Sequence, residues 1–192
     1  MRGLRSKPID PMRLSLFTKP GDELSKRARV EMKSTRTAMH AESFPRPGKI
    51  IVTNKTLCRG CGLCELACSL VCEGSCNPSL SRIHVLKNHE QYVFRLFICP
   101  QCAVPYCMLP CPEGAIRVEG GVRVIVEELC TGCGLCAEAC PFNQDQSVIF
   151  PHPRKEVYVK CDLCFWREEG PACIDVCPTR ALTLKELKVV KK

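Results

Sequence analysis

Apolar positions along this chain come in short runs broken by charge, glycine or proline, with cysteine at many of the breaks. Ile116-Arg117-Val118-Glu119 and Val122-Arg123-Val124-Ile125-Val126 flank Gly120-Gly121, a pattern that predicts a β-hairpin with a two-residue turn. Ile83-His84-Val85, Tyr92 to Ile98 and Val157 to Val159 predict further short strands. Cys64 to Cys72 and Cys136 to Ala139 predict one or two helical turns each, and Leu182 to Lys192 reads as a polar amphipathic end. The longest apolar runs are only a few residues, such as Leu96-Phe97-Ile98-Cys99. None approaches the ~18 residues of a membrane span. The expected class is α+β, built from short strands, short helices and long loops.

Cysteine changes this picture most. Sixteen of the eighteen fall into four motifs. The first is Cys58-x2-Cys61-x2-Cys64-x3-Cys68, and the third is Cys130-x2-Cys133-x2-Cys136-x3-Cys140-Pro141. The second is Cys99-x2-Cys102-x4-Cys107-x3-Cys111-Pro112, and the fourth is Cys161-x2-Cys164-x8-Cys173-x3-Cys177-Pro178. The first and third match the bacterial ferredoxin run, apart from a Ser where the first should have its proline. The motifs alternate. The first and third share Cys-x-Gly-Cys-Gly-Leu-Cys-x-x-Ala-Cys, and the second and fourth share Pro-x-Cys-x-x-x-Cys-Pro followed by Ala-Ile or Ala-Leu. The order suggests a duplicated two-cluster unit.

The spacing suits a cubane. Three thiolates two residues apart wrap a short loop around three irons, with glycines between them for the tight turns. The fourth is expected to start a helix that points away, toward a neighbouring cluster. Sixteen thiolates match four [4Fe–4S] clusters, and soft thiolates select iron–sulfur or zinc over hard cations. A disulfide scaffold suits triplets at two-residue spacing poorly. Zinc ribbons use paired Cys-x2-Cys but have no use for a third cysteine two residues on. Cys72 and Cys76 are extra and continue the four-residue step along a helical face. They are expected to be buried or free thiols, with a disulfide or an alternative cluster ligand as the other reading. Phe165-Trp166 is expected to pack against a cluster, with an interface anchor as the alternative. His40, His84, His89 and His152 have no ligand spacing and receive no role.

The formal charge is +8, of which residues 1–48 hold +6 (eleven Lys/Arg, five Asp/Glu) and residues 49–192 hold +2 (seventeen and fifteen). Each oxidised cluster with its thiolates carries about −2, so four would make the loaded body acidic. The basic balance is therefore no nucleic-acid footprint. With few large apolar residues, the clusters themselves are expected to serve as core, leaving the apo-protein unfolded or molten. Thiolate clusters imply a reducing compartment, and no twin-arginine signal is visible, so a cytoplasmic protein is expected.

These residues resemble the four-cluster ferredoxin-like electron-transfer subunits of molybdenum and tungsten pterin enzymes, hydrogenases and carbon monoxide dehydrogenases. Residues 50–185 carry the likeness. Cys64-Glu65-Leu66-Ala67-Cys68-Ser69-Leu70 and Asn77-Pro78-Ser79-Leu80-Ser81-Arg82-Ile83 are similar to the small subunits of tungsten aldehyde oxidoreductases and of tungsten benzoyl-coenzyme A reductase. The resemblance implies a non-catalytic relay subunit, bound to a large tungsten or molybdenum pterin subunit and to a further flavin or iron–sulfur subunit. A free-standing polyferredoxin serving a hydrogenase, formate dehydrogenase or carbon monoxide dehydrogenase is the alternative, and a zinc adaptor a third. No paired carboxylates, nucleophile triad or phosphate-binding glycine loop suggests catalysis by this chain.

Ferredoxin logic exchanges fourth cysteines between neighbouring motifs. One cluster is then expected on Cys99, Cys102, Cys107 and Cys140, and its neighbour on Cys130, Cys133, Cys136 and Cys111. The outer pair would use Cys58, Cys61, Cys64 and Cys177, and Cys161, Cys164, Cys173 and Cys68. The expected layout is a basic extension at 1–48, an outer lobe from 49–95 and 150–185, an inner lobe at 96–149 and a basic tail at 186–192. The extension reads as an arm for a partner subunit.

Overall fold

The fold was read from a computed structural model whose described residues are 47–143 and 147–187. The chain divides into units at 1–43 and 44–192, and all that follows concerns the second. The expected arm, with His40, and the tail beyond Leu187 lie outside the described residues, except for Pro47 and Gly48.

Eight short strands form four two-stranded antiparallel sheets among the described residues. Strand β1 (Lys49–Thr53) pairs with β8 (Leu182–Glu186), joining the two ends of the described body with Thr53 opposite Leu182. Hairpin β2 (His84–Asn88) and β3 (Val93–Phe97) follows the first motif. Hairpin β4 (Ile116–Glu119) and β5 (Val122–Ile125) lies between the second and third, as predicted. Gly120 and Gly121 have φ of 55° and 76°, as a two-residue turn that follows strand twist demands. Strands β6 (Ile149–Pro151) and β7 (Tyr158–Lys160) precede the fourth motif.

Among the described residues three short α-helices complete the α+β set: α1 (Leu63–Glu73), α2 (Leu135–Ala139) and α3 (Ala172–Asp175). Helix α1 stops at Gly74, whose left-handed backbone donates its N–H to the Leu70 carbonyl at 2.9 Å. Cys76 therefore lies beyond the helix and is exposed, so it does not continue the face of Cys68 and Cys72. Leu182 to Glu186 is a strand rather than an amphipathic end. Its alternating pattern finds a partner only at β1, a strand not expected from sequence.

The core is aliphatic with sulfur threaded through it. Ile51, Ile83, Ile116, Val122, Val124, Ile149 and Leu182 pack in one cluster with Cys64, Cys68, Cys99, Cys136, Cys161 and Cys173. Gln101, 2% exposed and in the left-handed region at φ 50°, knits this core together. Its amide NH2 donates to the carbonyls of Arg123 (3.2 Å) and Cys161 (3.0 Å), and its oxygen accepts the Arg123 N–H (2.9 Å).

Candidate metal centre

The two kinds of motif fold in two repeated ways. In the first and third, a left-handed glycine, Gly62 (φ 78°) or Gly134 (φ 79°), turns the chain into a helix. That helix begins one residue before the third cysteine, Cys64 or Cys136, so the fourth cysteine does not start it. Cys68 lies one turn further along α1, and Cys140 caps the end of α2. Gly132 has a further constraint, since a Cβ there would sit 2.6 Å from the Glu156 carbonyl oxygen.

In the second and fourth motifs the chain folds back on its last cysteine. Ala115 N–H donates to Cys111 Sγ at 3.3 Å, and Ala181 N–H to Cys177 Sγ at 3.2 Å. The residue before each alanine, Gly114 (φ 55°) or Arg180 (φ 53°), takes the left-handed turn this requires. The alanine carbonyls are used alike: Val126 N–H bonds to Ala115 O, and Asn54 N–H to Ala181 O, both at 2.8 Å. Val126 and Asn54 each stand four residues before a motif, the third and the first. The repeated Cys-Pro-x-x-Ala thus has a local structural cause.

None of the eighteen cysteines is joined in a disulfide. Burial, with Glu65, Cys61 and Cys58 nearby, pushes the Cys64 thiol up to about 12. Burial likewise pushes Cys107 up to about 12, with Cys99, Cys140 and Cys102 adding to it against Lys160. Cys136 rises to about 11 through burial and then Cys130, Cys133 and Cys111. Cys173 is raised by burial, Cys68, Cys164 and Cys64, and Cys161 by burial, Cys173 and Cys68. Burial also pushes Cys177 up, but the N–H groups of Ala181, Leu182 and Thr179 and the Thr179 hydroxyl outweigh it and lower it.

Sulfurs of different motifs therefore come together: Cys140 with Cys99, Cys102 and Cys107, Cys111 with Cys136, and Cys68 with Cys161 and Cys173. Cys58, Cys61 and Cys64 neighbour one another, while the groups acting on Cys177 are its own loop. Cys72 is raised by hydrogen bonds to Cys164 and Cys68, so this extra thiol stands beside the fourth set.

Buried thiols that repel one another's ionisation favour a ligand bringing positive charge, and binding it must release protons. Amide donors already aim at the sulfurs: Arg82 N–H at Cys68 (3.3 Å), Tyr158 N–H at Cys130 (3.4 Å) and Leu163 N–H at Cys161 (3.4 Å). Such donors stabilise thiolate charge, and the all-sulfur sets fit iron–sulfur clusters. Among the described residues, no group of three or more His, Cys, Asp or Glu is drawn in tightly enough to hold a single metal ion.

Behind the sulfurs lies a partly buried ion network. The Arg82 guanidinium meets Asp162 at 2.8 Å and Glu73 and Glu127 at 3.6 Å. Lys155 adds contacts to Glu127 (2.7 Å) and Glu73 (3.7 Å). His152 Nδ1 accepts the Arg154 N–H, which leaves Nε2 to face Glu73 at 3.2 Å. Sequence reading gave none of these residues a role. Their only signal was charge in segments that had to be buried. His84 stacks edge-on against Phe150 and His89 against Phe94. Phe165 and Trp166 stay partly exposed beside a cavity of about 320 Å³ that Arg82, Glu127, Lys160 and Asp162 also line. The Trp166 indole N–H donates to Asp162 at 3.3 Å.

Cysteine sets in a small α+β body, each partly or wholly buried and furnished with an N–H donor to sulfur, define an iron–sulfur protein. The chain belongs to the 4Fe-4S dicluster domain family, which matches residues 91–187, just over half of it. It is 36% identical over 152 residues to the electron transport protein HydN of Escherichia coli (strain K12), covering 70% of this chain and 86% of HydN. Formate hydrogenlyase subunit 2 of the same organism is 34% identical over 170 residues, covering 71% of this chain and 81% of that one. The active site complex BamBC of benzoyl-coenzyme A reductase in complex with zinc contains a chain of 23% identity, with a TM-score of 0.47 over 75% of this chain and 82% of that chain. That likeness is too slight to bear on function. The protein is an iron–sulfur electron transport protein with [4Fe–4S] clusters. No helix among the described residues is long and apolar enough to cross a membrane.

Proposed function

We propose that this chain is a non-catalytic relay subunit that holds four [4Fe–4S] clusters in two ferredoxin-like lobes, one inserted in the other. The carrying observation is the meeting of sulfurs from different motifs, such as Cys140 with Cys99, Cys102 and Cys107. The clusters supply one-electron transfer, and the sixteen motif cysteines hold them in the exchanged sets predicted from the spacing. The outer lobe is supported by the β1–β8 pairing and by Asn54 N–H on Ala181 O, which repeats Val126 N–H on Ala115 O of the inner hairpin. That equivalence supports reading Cys58 and Cys177 as the counterparts of Cys130 and Cys111. Within the body, N–H donors to sulfur hold the charge of the ligands, and the aliphatic core shields those cysteines that are packed in it, such as Cys64, Cys99 and Cys161.

The partner in this reading is a catalytic oxidoreductase subunit of the tungsten or molybdenum pterin type, in a reducing compartment. The second reading is a formate-oxidising or hydrogen-evolving partner, favoured by the relative in formate hydrogenlyase. Anaerobic purification of the native complex with metal analysis tests both. Tungsten or molybdenum at one per complex supports the first, nickel points to a hydrogenase, and a lone brown protein on size exclusion overturns the subunit reading. Zinc in place of iron would end the redox reading altogether.

A further inference from the structure

The four sulfur sets differ in the charge behind them. Lys160, the last residue of β7, is only 3% exposed. An ammonium has three N–H donors, and all three are engaged: with the carbonyl of Arg123, with the carbonyl of Cys161 at 3.1 Å, and with Cys99 Sγ at 3.7 Å. No carboxylate of the described residues lies within ion-pair distance of it, whereas Arg82, near Cys68, is matched by three. Arg123, also 3% exposed, brings a second cation to the same place. Its Nη2 donates to the Ala103 carbonyl at 3.3 Å, in the loop between Cys102 and Cys107. Burying a lysine without a carboxylate is costly, so a compensating charge on the sulfur side is the natural partner.

We propose that Lys160, with Arg123 beside it, raises the reduction potential of the cluster held by Cys99, Cys102, Cys107 and Cys140. The inference rests on the ligand assignment above. Reduction adds one electron, delivered by a neighbouring cluster of the relay, and no proton. The thiolate-ligated cluster goes from about −2 to about −3. A fixed cation at the sulfur favours the more negative state, as net charge and hydrogen bonds to sulfur set cluster potentials.

The test is a dithionite titration of anaerobically purified full-length protein, followed by electron paramagnetic resonance, with iron measured in parallel. Lys160→Gln keeps an amide donor and removes the charge, and Lys160→Arg keeps the charge. In Lys160→Gln one midpoint should fall by at least a tenfold change in the reduction equilibrium, about 59 mV for one electron. The other midpoints should hold, and Lys160→Arg should stay near wild type. The altered signal should be the one perturbed in Cys140→Ser. Unchanged midpoints in Lys160→Gln with full iron, or an equal fall in Lys160→Arg, overturn the proposal. If Lys160→Gln loses iron, Arg123→Gln decides in the same assay, and an unmoved potential there is fatal. The ligand assignment fails separately: Cys99→Ser and Cys140→Ser would then perturb different signals.

Discussion

Replacing Arg82 with methionine should loosen the body around the fourth motif. The substitution keeps much of the aliphatic stem and removes the charge. It strands three carboxylates unequally. Glu127 keeps Lys155 at 2.7 Å, and Glu73 keeps His152 at 3.2 Å and Lys155 at 3.7 Å. Asp162, with its side chain 10% exposed, loses its one ion-pair partner among the described residues and keeps the Cys164 N–H and the Trp166 indole. Removing one member of a buried pair costs about 3–5 kcal/mol, and the surviving contacts place this case at the lower end, about 3 kcal/mol. For a domain of this size that lowers the thermal midpoint by about 6–12 °C. The assay is an anaerobic thermal scan of the visible cluster absorbance at one fixed rate, because cluster loss is irreversible. Adding Asp162→Asn should recover part of the fall in midpoint, since the stranded charge is then gone, so the two shifts should not add. A midpoint within about 2 °C of wild type, or strict additivity of the two substitutions, would refute the reasoning.

Cys177→Ser should perturb the cluster held by Cys58, Cys61 and Cys64 and spare the one at Cys161, Cys164 and Cys173. Spectroscopic damage confined to the latter would break the exchange scheme. Anaerobically purified protein should contain about sixteen iron and sixteen acid-labile sulfide per chain, and a reproducible twelve would mean one vacant set. Chelating the iron should unfold the body, because ligand binding here is folding energy. Far-UV circular dichroism that does not change on chelation would contradict this. Gln101→Leu should destabilise by about 1–3 kcal/mol, the penalty for the orphaned Arg123 N–H, and the same thermal scan should show a smaller fall than for Arg82→Met.

What could be read from the sequence depended on how far apart the interacting residues lie. The β4–β5 hairpin was legible because both halves and the obligatory Gly120-Gly121 turn sit within ten residues. The cysteine motifs were legible because a multi-iron site needs several thiolates on one loop. The β1–β8 sheet was not, because Lys49 and Glu186 carry no local sign that they will meet. The span of α1 was legible to within a residue at each end, but the expectation that a fourth cysteine starts a helix failed because the left-handed turn that begins it is at Gly62, ahead of the third cysteine. The network around Arg82 was invisible because Glu73, Glu127, His152 and Asp162 look like ordinary surface charges until the fold buries them.

The β1–β8 pairing also fixes an order of events during synthesis. Strand β1 leaves the ribosome early, but its partner is encoded after 128 intervening residues, Asn54 to Ala181. At about 5–20 residues per second, Ile51 waits roughly 6–26 s before its sheet can close. The β4–β5 turn, by contrast, can form as soon as Ile125 emerges. The middle of the chain can thus mature while its first segment is still an open strand edge, and a nascent chain released early would expose that edge to its neighbours.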